Sequence, residues 1–373
     1  MIEVPDTVAR VADLIRGHAS AGRAVRARGG GTKREWGALL QSDREIVEVV
    51  TRGLNRIVEH NAGDFTAVVE AGLPLKEAQA VFAGSGQMLA LDPPLGAGDA
   101  ATIGGVLAAN DSGPLRHRYG SVRDLVIGIT VVLSDGTIAS SGGKVIKNVA
   151  GYDLAKLFTG SLGTLGLIAR IAVRLHPLAQ RTATVVAQTD DAVALAATAL
   201  ALARLPLEAD CLDVQWSRGR GRLLVRFAGA AAEQRAQAAA LRFPGLQPEI
   251  VGDDHTLWSE QRANQRSVAG IVVKVSGRPT DLSTVIRVAD AAGGTLVSRA
   301  ALGLSWLSLP AEADVNSIRA ALAPRACTVL DGAERSAAVW PVVAPGTLAV
   351  MQRVKQRFDP ARAFSPGAFV GGI

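Results

Sequence analysis

Short aliphatic runs typical of β-strands alternate with segments of helical periodicity along most of the chain, and this alternation restricts the fold more than any other feature. Near the start, Val8, Val11 and Ile15 recur at helical spacing and are followed by the strand-type run AVRARG. Beyond residue 178, the patterns form split β-α-β units, and a shorter repeat of them follows. Such units predict a ferredoxin-like arrangement, in which helices cover one face of an antiparallel sheet. The expected fold class is α+β.

Length and composition predict more than one domain. The chain has 373 residues, and a domain usually holds roughly 100 to 200. Hydrophobic residues make up 48% of the chain and 40 glycines provide for many tight turns. The segment VRLHPLA around Pro177 separates a glycine-rich region from the region of split β-α-β patterns. We therefore expect a first domain over residues 1–177, a second over 178–335, and a C-terminal helix and tail over 336–373 that packs back on the first.

Several classes of function are disfavoured. The net charge of +6 is carried by scattered arginines, and only 4% of residues are aromatic, so we expect no nucleic-acid binding. Cys211 and Cys327 are too few for a disulfide framework, a zinc site or an iron-sulfur cluster, and we expect two buried thiols in a reducing cytoplasm. The start MIEVPDTVAR lacks a signal-peptide pattern, and AVALAATALALA is shorter than the ~20 residues of a membrane span. No metal site and no transmembrane segment are expected.

Three consecutive glycines, Gly29, Gly30 and Gly31, lie between basic residues in the stretch RARGGGTKREWG. Glycine permits positive φ and close approach of a ligand to the backbone, and bare amides beside positive charge favour a bound anion. The stretch fits neither a Walker A loop nor the fingerprint G-x-G-x-x-G, whose next glycine would fall at Arg34. On this segment alone, an anion-binding loop and an ordinary glycine-rich loop with a solvated basic flank are equal alternatives.

Three segments in order carry a family resemblance: ARGGGT, then LDPPLGAGDAATIGGVLAANDSGPLRHRYGSVRDLVIG, then KNVAGYDLAKLFTGSLGTLGLIARIAVRLHP. They resemble the PCMH-type FAD-binding domain of the vanillyl-alcohol-oxidase flavoproteins, and more closely the FAD-binding E subunits of bacterial glycolate oxidases. The resemblance covers about residues 1–177. The ending VKQRFDPARAFSPG is similar to the family's closing helix and NPG turn, with Ser365 where asparagine is usual. The resemblance implies that residues 178–335 are a substrate or cap domain.

The resemblance also implies a set of FAD-binding positions. In it, the amides of RGGGT wrap the FAD pyrophosphate, with Arg28 and Lys33 balancing the negative charge. The second and third segments lie along the pyrophosphate, the ribityl chain and the ring, and Leu162 stands where related dehydrogenases usually carry glutamate. The implied positions are Arg28, Gly29, Gly30, Gly31, Thr32, Lys33, Pro93, Thr102, Gly104, Gly105, Asn110, Gly113, Arg118, Gly120, Lys147, Gly151, Tyr152, Asp153, Gly160, Ser161, Gly163, Thr164 and Gly166.

Some of these positions have alternative explanations. Lys147 and Arg118 are candidates for a positive charge near the flavin N1 and C2 oxygen, which would raise the redox potential. Tyr152 either contacts the cofactor or only packs beneath it. His117, within RHR, is expected to be a solvated loop histidine, and the pair at 142 and 143 a plain turn. His117 is also the one nearby candidate for a covalent flavin link, but we expect noncovalent binding.

The catalytic residues are not identified from the sequence. Related D-lactate and glycolate dehydrogenases carry the motifs H-x-G-D-G-N and E-H-G in their C-terminal half, and neither occurs here. His255 is the one histidine beyond residue 177. Oxidation of a 2-hydroxy acid requires a base for the hydroxyl proton and a cation for the carboxylate. Arg262, Arg266, Lys274 and Arg299 are candidates for that cation, but each is expected to be a surface charge.

Three hypotheses about function remain open. In the first, the chain is an FAD-binding oxidoreductase subunit of a glycolate oxidase complex, and a homologous flavoprotein subunit oxidises the small 2-hydroxy acid. An iron-sulfur subunit would then carry the electrons onward, because two cysteines cannot hold a cluster. In the second, it is itself an FAD-dependent D-2-hydroxy-acid dehydrogenase. In the third, it is a scaffold subunit whose flavin site is vestigial. The expected location is the cytoplasm, with association to the inner membrane through partners.

Overall fold

The structure, a computed structural model, describes residues 1–143, 153–243, 245–266, 269–332 and 339–373. Its strands are β1 Ile2–Glu3, β2 Ala24–Arg28, β3 Ile46–Val50, β4 Ile57–Asn61, β5 Thr66–Glu70, β6 Gln87–Met88, β7 Val126–Val132, β8 Ile138–Gly142, β9 Leu167–Arg174, β10 His176–Pro177, β11 Thr182–Thr189, β12 Cys211–Ser217, β13 Arg220–Ala228, β14 Pro248–Val251, β15 Ile271–Ser276, β16 Thr295–Arg299, β17 Leu304–Leu309 and β18 Ala326–Asp331.

The α-helices alternate with these strands through most of the chain. They are α1 Val8–Ser20, α2 Leu75–Ala83, α3 Ile103–Ala109, α4 Arg116–Tyr119, α5 Val122–Leu125, α6 Ala155–Phe158, α7 Ala192–Ala203, α8 Ala232–Ala240, α9 His255–Ala263, α10 Leu282–Ala291, α11 Val315–Leu322 and α12 Pro345–Phe358. No helix in these described ranges combines the length and the apolar character that a membrane span requires.

The first lobe is a small three-stranded sheet with α1 packed on it. The strand order is β1-β3-β2, and both pairings are parallel. Thr7 caps α1, because its hydroxyl accepts a hydrogen bond from the Arg10 N–H at 3.2 Å. Val11 and Ile15 are fully buried on the face that the sequence pattern predicts. This lobe holds the glycine stretch directly after β2.

The second lobe is a five-stranded antiparallel sheet in the order β4-β5-β9-β7-β8. Its core includes residues of α2, α3, α5 and α6, among them Phe82, Ile103, Leu107 and Phe158. The N–H of Gly104 donates to the carbonyl of Ala71 at 2.8 Å, which ties the start of α3 to the end of β5. The end of β2 and the start of α3 therefore bound the same region, where the two lobes meet.

The third body is one eight-stranded antiparallel sheet in the order β14-β11-β13-β12-β16-β17-β15-β18. It contains two ferredoxin-like units. The first runs β11-α7-β12-β13-α8-β14 and the second runs β15-α10-β16-β17-α11-β18, and the two join where β12 pairs with β16. Apolar side chains of α7, α8, α10 and α11 share one core with this sheet, so the helices cover one face. The predicted ferredoxin-like topology and α+β class are confirmed.

The C-terminal segment returns to the first two lobes. Lys355 of α12 donates hydrogen bonds to the carbonyls of Thr164 at 2.7 Å and Phe364 at 2.8 Å, and to the carboxylate of Asp359 at 2.7 Å. Phe364 lies beside Val25 of β2 in an isolated parallel bridge. The tail is thereby held against the sheet that carries the glycine stretch.

Candidate glycine-loop site

The site begins with the loop over residues 29–33, which we call the glycine loop. Gly31 has a φ of +76°, which a side chain disfavours. A Cβ at Gly30 would overlap the carbonyl of Ala100, and a Cβ at Gly29 would overlap the hydroxyl of Thr102. The first two glycines are therefore required by close packing on the segment before α3, and the third is required by backbone conformation.

The glycine loop presents backbone donors that the protein does not use. Within the part of the chain that the structure describes, none of the N–H groups of residues 29–33 donates a hydrogen bond. A backbone N–H left without a partner is costly unless solvent or a ligand accepts from it. Successive free amides in a turn form a concave site for an anion. This feature favours the anion-binding alternative for the loop.

Two cavities meet at the glycine loop. The first is lined by the loop together with Thr102, Gly105, Ala109 and Leu162. The second is lined by residues that include Pro93 and Arg262. Gly30, Gly31 and Thr32 line both cavities. A ligand that reaches into both cavities would therefore have its centre on the loop.

The second lobe supplies the opposite wall through α3 and the segment that follows it. Thr102 caps α3 by accepting from the N–H of Gly105 at 3.2 Å. Asn110 ends the helix with a φ of 48°, and its buried Oδ1 has no hydrogen-bond partner among the described residues. The N–H of Gly160 donates to the carbonyl of Leu107 at 3.0 Å, which brings the GSLGTLG segment against this helix end. The unpaired oxygen leaves a polar contact available to a ligand.

The charge around the loop is mixed. Arg28 and Arg34 pair with Glu48 at 2.9 and 2.8 Å, and Arg26 and both of these arginines line the first cavity. Lys33 points inward and forms a buried ion pair with Asp111 at 3.2 Å. Each of Arg28 and Lys33 thus has a carboxylate partner, and their balancing of a pyrophosphate charge stays a prediction.

Other predicted positions lie around the cavities rather than inside one of them. Gly160, Ser161 and Thr164 line a separate apolar cavity beside α12, and Ser161 Oγ is buried without a hydrogen-bond partner in the described chain. Gly163 lies near Ala27, since a Cβ there would be 3.8 Å from the Ala27 Cβ. Leu162 of the same segment lines the first cavity.

Several predicted positions serve packing within the protein. A Cβ would collide with Ala71 at Gly104, with Asp92 at Gly113, with Asp124 at Gly120 and with the Val132 carbonyl at Gly166. Asp153 is exposed and pairs with Lys156 at 3.6 Å. Their glycine or acidic character is explained without a ligand. Lys147, Gly151 and Tyr152 lie outside the described residues.

Arg118 and His117 differ from their predicted surroundings. Arg118 lies near Asp210 at 3.5 Å and lines a separate cavity with Tyr119 and His176, so it is not brought to the glycine loop. His117 lies in α4 and is partly buried, with an unpartnered Nδ1, instead of being a solvated loop histidine. Burial, and then the charge of Arg118, lower the pKa of His117 below its usual value.

The expectation that four cations are surface charges was wrong. Each is at least partly buried: Arg262, Arg266, Lys274 and Arg299. Arg299 is fully buried and donates to Asp213 at 2.8 Å. Arg266 pairs with Asp331 and donates to the Thr32 carbonyl at 2.6 Å. Arg262 lines the second cavity, 3.9 Å from Asp92. Their sequence spacing gives no sign of this, because the partners lie in distant segments.

Lys274 differs from the three arginines. Its Nζ lies 5.7 Å from the ring centroid of Trp306, and no carboxylate pairs with it in the described ranges. Burial, followed by the positive charge of Arg116, lowers the pKa of Lys274 to about 8. It is thus a partly buried cation that forms no ion pair in these ranges, although the charge of Asp111 acts on it from a greater distance. His255, by contrast, is exposed at the start of α9.

The described residues contain no cluster of three or more His, Cys, Asp or Glu side chains suited to hold a metal ion. Cys211 and Cys327 are both buried and unpaired. Burial raises the pKa of the Cys211 thiol well above its usual value, which keeps it protonated. Neither cysteine is therefore suited to act as a reactive thiolate.

Comparison with known protein families indicates the cofactor. Residues 1–142 match the model of the FAD binding domain, and this match indicates FAD. The residues of the glycine-loop site fit this molecule. The free amides suit a diphosphate, the two adjoining cavities lie on either side of them, and the unpaired Asn110 oxygen offers a polar contact.

Solved structures show the same fold. One structure of alkyldihydroxyacetonephosphate synthase superposes with a TM-score of 0.74 at 16% sequence identity, covering 98% of this chain and 76% of that one. A second crystal form of that enzyme gives a TM-score of 0.73. At this identity the likeness extends to the fold alone.

Sequence relatives narrow the family. Two of them match less than half of this chain. Mitochondrial D-lactate dehydrogenase [cytochrome] 1 of Saccharomyces cerevisiae is 35% identical over 159 residues, which is 42% of this chain and 26% of that protein. Glycolate oxidase subunit GlcD of Bacillus subtilis is 37% identical over 145 residues, which is 39% of this chain and 30% of that protein. Glycolate oxidase subunit GlcE of Escherichia coli is 30% identical over 314 residues and covers 83% of both chains. The chain therefore belongs to the FAD-binding family that includes glycolate oxidase subunit GlcE.

Proposed function

We propose that this chain is the FAD-binding subunit of a glycolate oxidase complex and takes part in the oxidation of a small 2-hydroxy acid. The observation that carries the proposal is the set of unused N–H donors at residues 29–33, placed where two cavities meet, in a chain of the GlcE family. When bound, FAD accepts the two electrons that leave the hydroxy acid. The glycine loop binds and orients the cofactor through its diphosphate.

The remaining FAD contacts follow from the lining of the two cavities. Thr102, Gly105 and Leu162 border the cofactor in the first cavity, and Pro93 borders it in the second. Asn110 accepts a hydrogen bond from the cofactor through its unpaired Oδ1. Lys147, Gly151 and Tyr152 stay in the proposed set on resemblance alone.

In the alternative in which this chain oxidises the substrate itself, the substrate's carboxylate requires a cation, and Lys274 is the best candidate of the four. Arg299, Arg266 and Arg262 each face an aspartate, whereas Lys274 forms no ion pair among the described residues. A carboxylate would compensate its buried charge. We expect oxalate, a two-carbon diacid that cannot be oxidised in the same way, to bind less tightly as the pH rises above about 8, where Lys274 loses its proton.

The division of labour between subunits follows from what the cavities lack. Among the described residues, no histidine lines either of the two cavities at the glycine loop. A histidine is the commonest base for removing a hydroxyl proton. This supports a complex in which a homologous flavoprotein subunit oxidises the substrate. An iron-sulfur subunit is proposed as the electron acceptor, because Cys211 and Cys327 lie on separate strands and cannot supply the ligands of a cluster.

The proposed domain division is the one expected from the sequence. Residues 1–177 form the FAD-binding domain, which carries the two smaller lobes. Residues 178–335 form the cap domain, which carries the eight-stranded sheet. Residues 336–373 form the return that packs on the FAD-binding domain through Lys355.

Purification of the full chain, alone and with candidate partner subunits, tests the proposal. Bound FAD, seen as visible absorbance, without bleaching by glycolate or D-lactate supports an FAD-binding subunit that requires a partner. If glycolate or D-lactate bleached the flavin of the isolated chain under anaerobic conditions, the chain would instead be a self-sufficient dehydrogenase. Failure to bind FAD, alone or in the complex, would contradict the proposal and favour a scaffold with a vestigial site.

A further inference from the structure

A chain of buried polar side chains connects the eight-stranded sheet to the glycine loop. Asp213 on β12 accepts from Arg299 on β16 at 2.8 Å, and Arg299 also donates to Gln265, two residues beyond α9. Gln265 donates to Asp111 at 3.1 Å. Asp111 then pairs with Lys33 of the glycine loop at 3.2 Å. Five segments distant in sequence are joined by these contacts.

The side chains of this network are buried to a degree that is unusual for charged groups. Arg299 and Asp213 are 0% exposed, and Gln265 is 1% exposed. Burying ion pairs costs desolvation free energy that their attraction does not always return, so such a network is weak support for stability alone. A better-supported role for buried polar groups is to fix one arrangement among several. Here the fixed arrangement is that of the cap domain relative to the glycine loop.

Asp111 and Gln265 occupy the junction between the two domains. One carboxylate oxygen of Asp111 faces Lys33, and the other accepts from Gln265 and from the N–H of Ser112. Gln265 also donates to the carbonyl of Ser112 at 3.0 Å. The amide therefore holds both the side chain of Asp111 and the backbone beside it. Displacement of Gln265 would leave Asp111, the carboxylate partner of Lys33, without this support.

We propose that Asp111 and Gln265 are positioning residues, which hold the glycine loop in its FAD-binding conformation according to the position of the cap domain. This inference rests on the proposed function. It gives the cap domain a role in cofactor affinity although Gln265 lines neither cavity at the loop. Cofactor binding and cap docking are then coupled, with Lys33 as the group on which the coupling acts.

A pair of matched glutamines provides the test. Gln261 and Gln265 both belong to the region of α9 and are 1% exposed, but among the described residues Gln261 bonds only to Asp213 and Val214, at the end of the network farthest from Lys33. FAD affinity is measured by fluorescence titration of deflavinated full-length protein for wild type, Gln265→Leu, Gln261→Leu, Lys33→Met and Lys33→Met/Gln265→Leu. Thermal unfolding of each protein without FAD is recorded alongside.

The expected pattern separates positioning from general stability. Gln265→Leu weakens FAD binding by about tenfold, equivalent to one bond of ordinary strength, whereas Gln261→Leu changes it by less than about twofold. Both leucine variants lower the unfolding temperature. In the Lys33→Met background, Gln265→Leu has little further effect on affinity, because the group it positions is gone.

Three outcomes overturn the inference. These are unchanged FAD affinity in Gln265→Leu, equal weakening in both leucine variants, and full additivity in the double variant. If Gln265→Leu does not fold, Gln265→Asn, which keeps the amide but shortens its reach, replaces it in the same cycle. Wild-type protein that fails to bind FAD overturns the proposed function as well, whereas normal binding by wild type and Gln265→Leu overturns the positioning role alone.

Discussion

At the scale of single residues, the glycine loop shows two different reasons for the same residue type. Gly30 has no room for a Cβ, because the Ala100 carbonyl occupies that space. Gly31 has room, but its φ of +76° disfavours any side chain. An open position with ordinary helical conformation is Gly17 in α1, where a Cβ would meet nothing within 4 Å.

Substitution at Gly30 should therefore disturb the FAD site, whereas the same change at Gly17 should not. We expect Gly30→Ala to weaken FAD binding by at least tenfold, because the loop must move away from Ala100. Gly17→Ala should leave affinity unchanged and raise the free energy of unfolding by about 0.5–1 kcal/mol. Flavin titration and urea unfolding measure both effects. Equal FAD affinity in the two variants would show that the loop conformation does not matter for binding.

Ser365 provides a second prediction at this scale. It is buried with a φ of 40°, a region that asparagine and glycine adopt at lower cost than serine. Ser365→Asn and Ser365→Gly should each raise the free energy of unfolding by up to about 1 kcal/mol. Chemical denaturation measures this change. A loss of stability in both variants would mean that the serine hydroxyl outweighs the backbone strain.

Asp92 predicts a dependence of stability on pH. Burial above all raises the pKa of this carboxyl to about 6, while in the unfolded chain it has its ordinary value of 3.8. Between about pH 4 and 6 the folded protein binds the extra proton, so the contribution of Asp92 to stability falls as the pH rises through this window. Above it, the ionised carboxylate remains unfavourable.

The variant Asp92→Asn isolates this contribution, because the asparagine oxygen can still accept from the Leu115 N–H, as Asp92 does at 3.0 Å. The unfolding free energy of wild type minus that of the variant should decrease by roughly 1.4 kcal/mol for each unit of pKa shift as the pH is raised from about 4 to above 6. Urea titrations at several pH values give this difference. A difference that does not vary with pH would contradict the shifted pKa.

At the scale of secondary-structure elements, the sequence predicted the strongly periodic segments well. Apolar residues recur at helical spacing over 190–203, 281–292 and 314–322, which predicts helices there, and these segments form α7, α10 and α11 with their apolar faces buried. Helix α9 was missed, because its buried face includes Gln261 beside Trp258 and gives no apolar period. The local hydrophobic pattern predicts which apolar side chains are buried. It cannot predict the burial of a polar side chain whose hydrogen-bond partners are in other segments.

One buried lysine of α12 connects this helix to the first two lobes. Lys355 and Asp359 pair at 2.7 Å with side chains 8% and 0% exposed, and the lysine also holds the carbonyls of Thr164 and Phe364. Lys355→Met should lower the free energy of unfolding by about 3 kcal/mol, because the aspartate stays buried without its partner. Lys76→Met, at a 2.7 Å pair whose side chains are 66% and 45% exposed, is the control and should cost less than about 1 kcal/mol.

Denaturant unfolding compares the two lysine variants. Similar small losses for both would show that α12 is held by its apolar contacts instead. The double variant Lys355→Met/Asp359→Asn should cost less than the sum of its single changes, because the two side chains belong to one network.

At the scale of the whole molecule, the site lies where the two smaller lobes meet the domain of the eight-stranded sheet. Sequence reasoning identified the glycine-loop side of the site but not the side that the cap domain supplies. The glycine loop and the residues around Thr102 were found through their glycines and their family resemblance. The cap-side residues Gln265 and Arg299 were missed or taken for surface groups, because their partners Asp111 and Asp213 are set by tertiary packing. Neither spacing nor composition contains that information.

Backbone hydrogen exchange at residues 29–33, measured by mass spectrometry with and without FAD, tests the central claim most directly. These amides donate no hydrogen bond in the described protein, so without the cofactor they should exchange rapidly. Saturating FAD should slow exchange in this loop, while exchange in α8 and α11 stays the same. Stoichiometric FAD binding with no protection of residues 29–33 would contradict the assignment of the glycine loop to the FAD diphosphate.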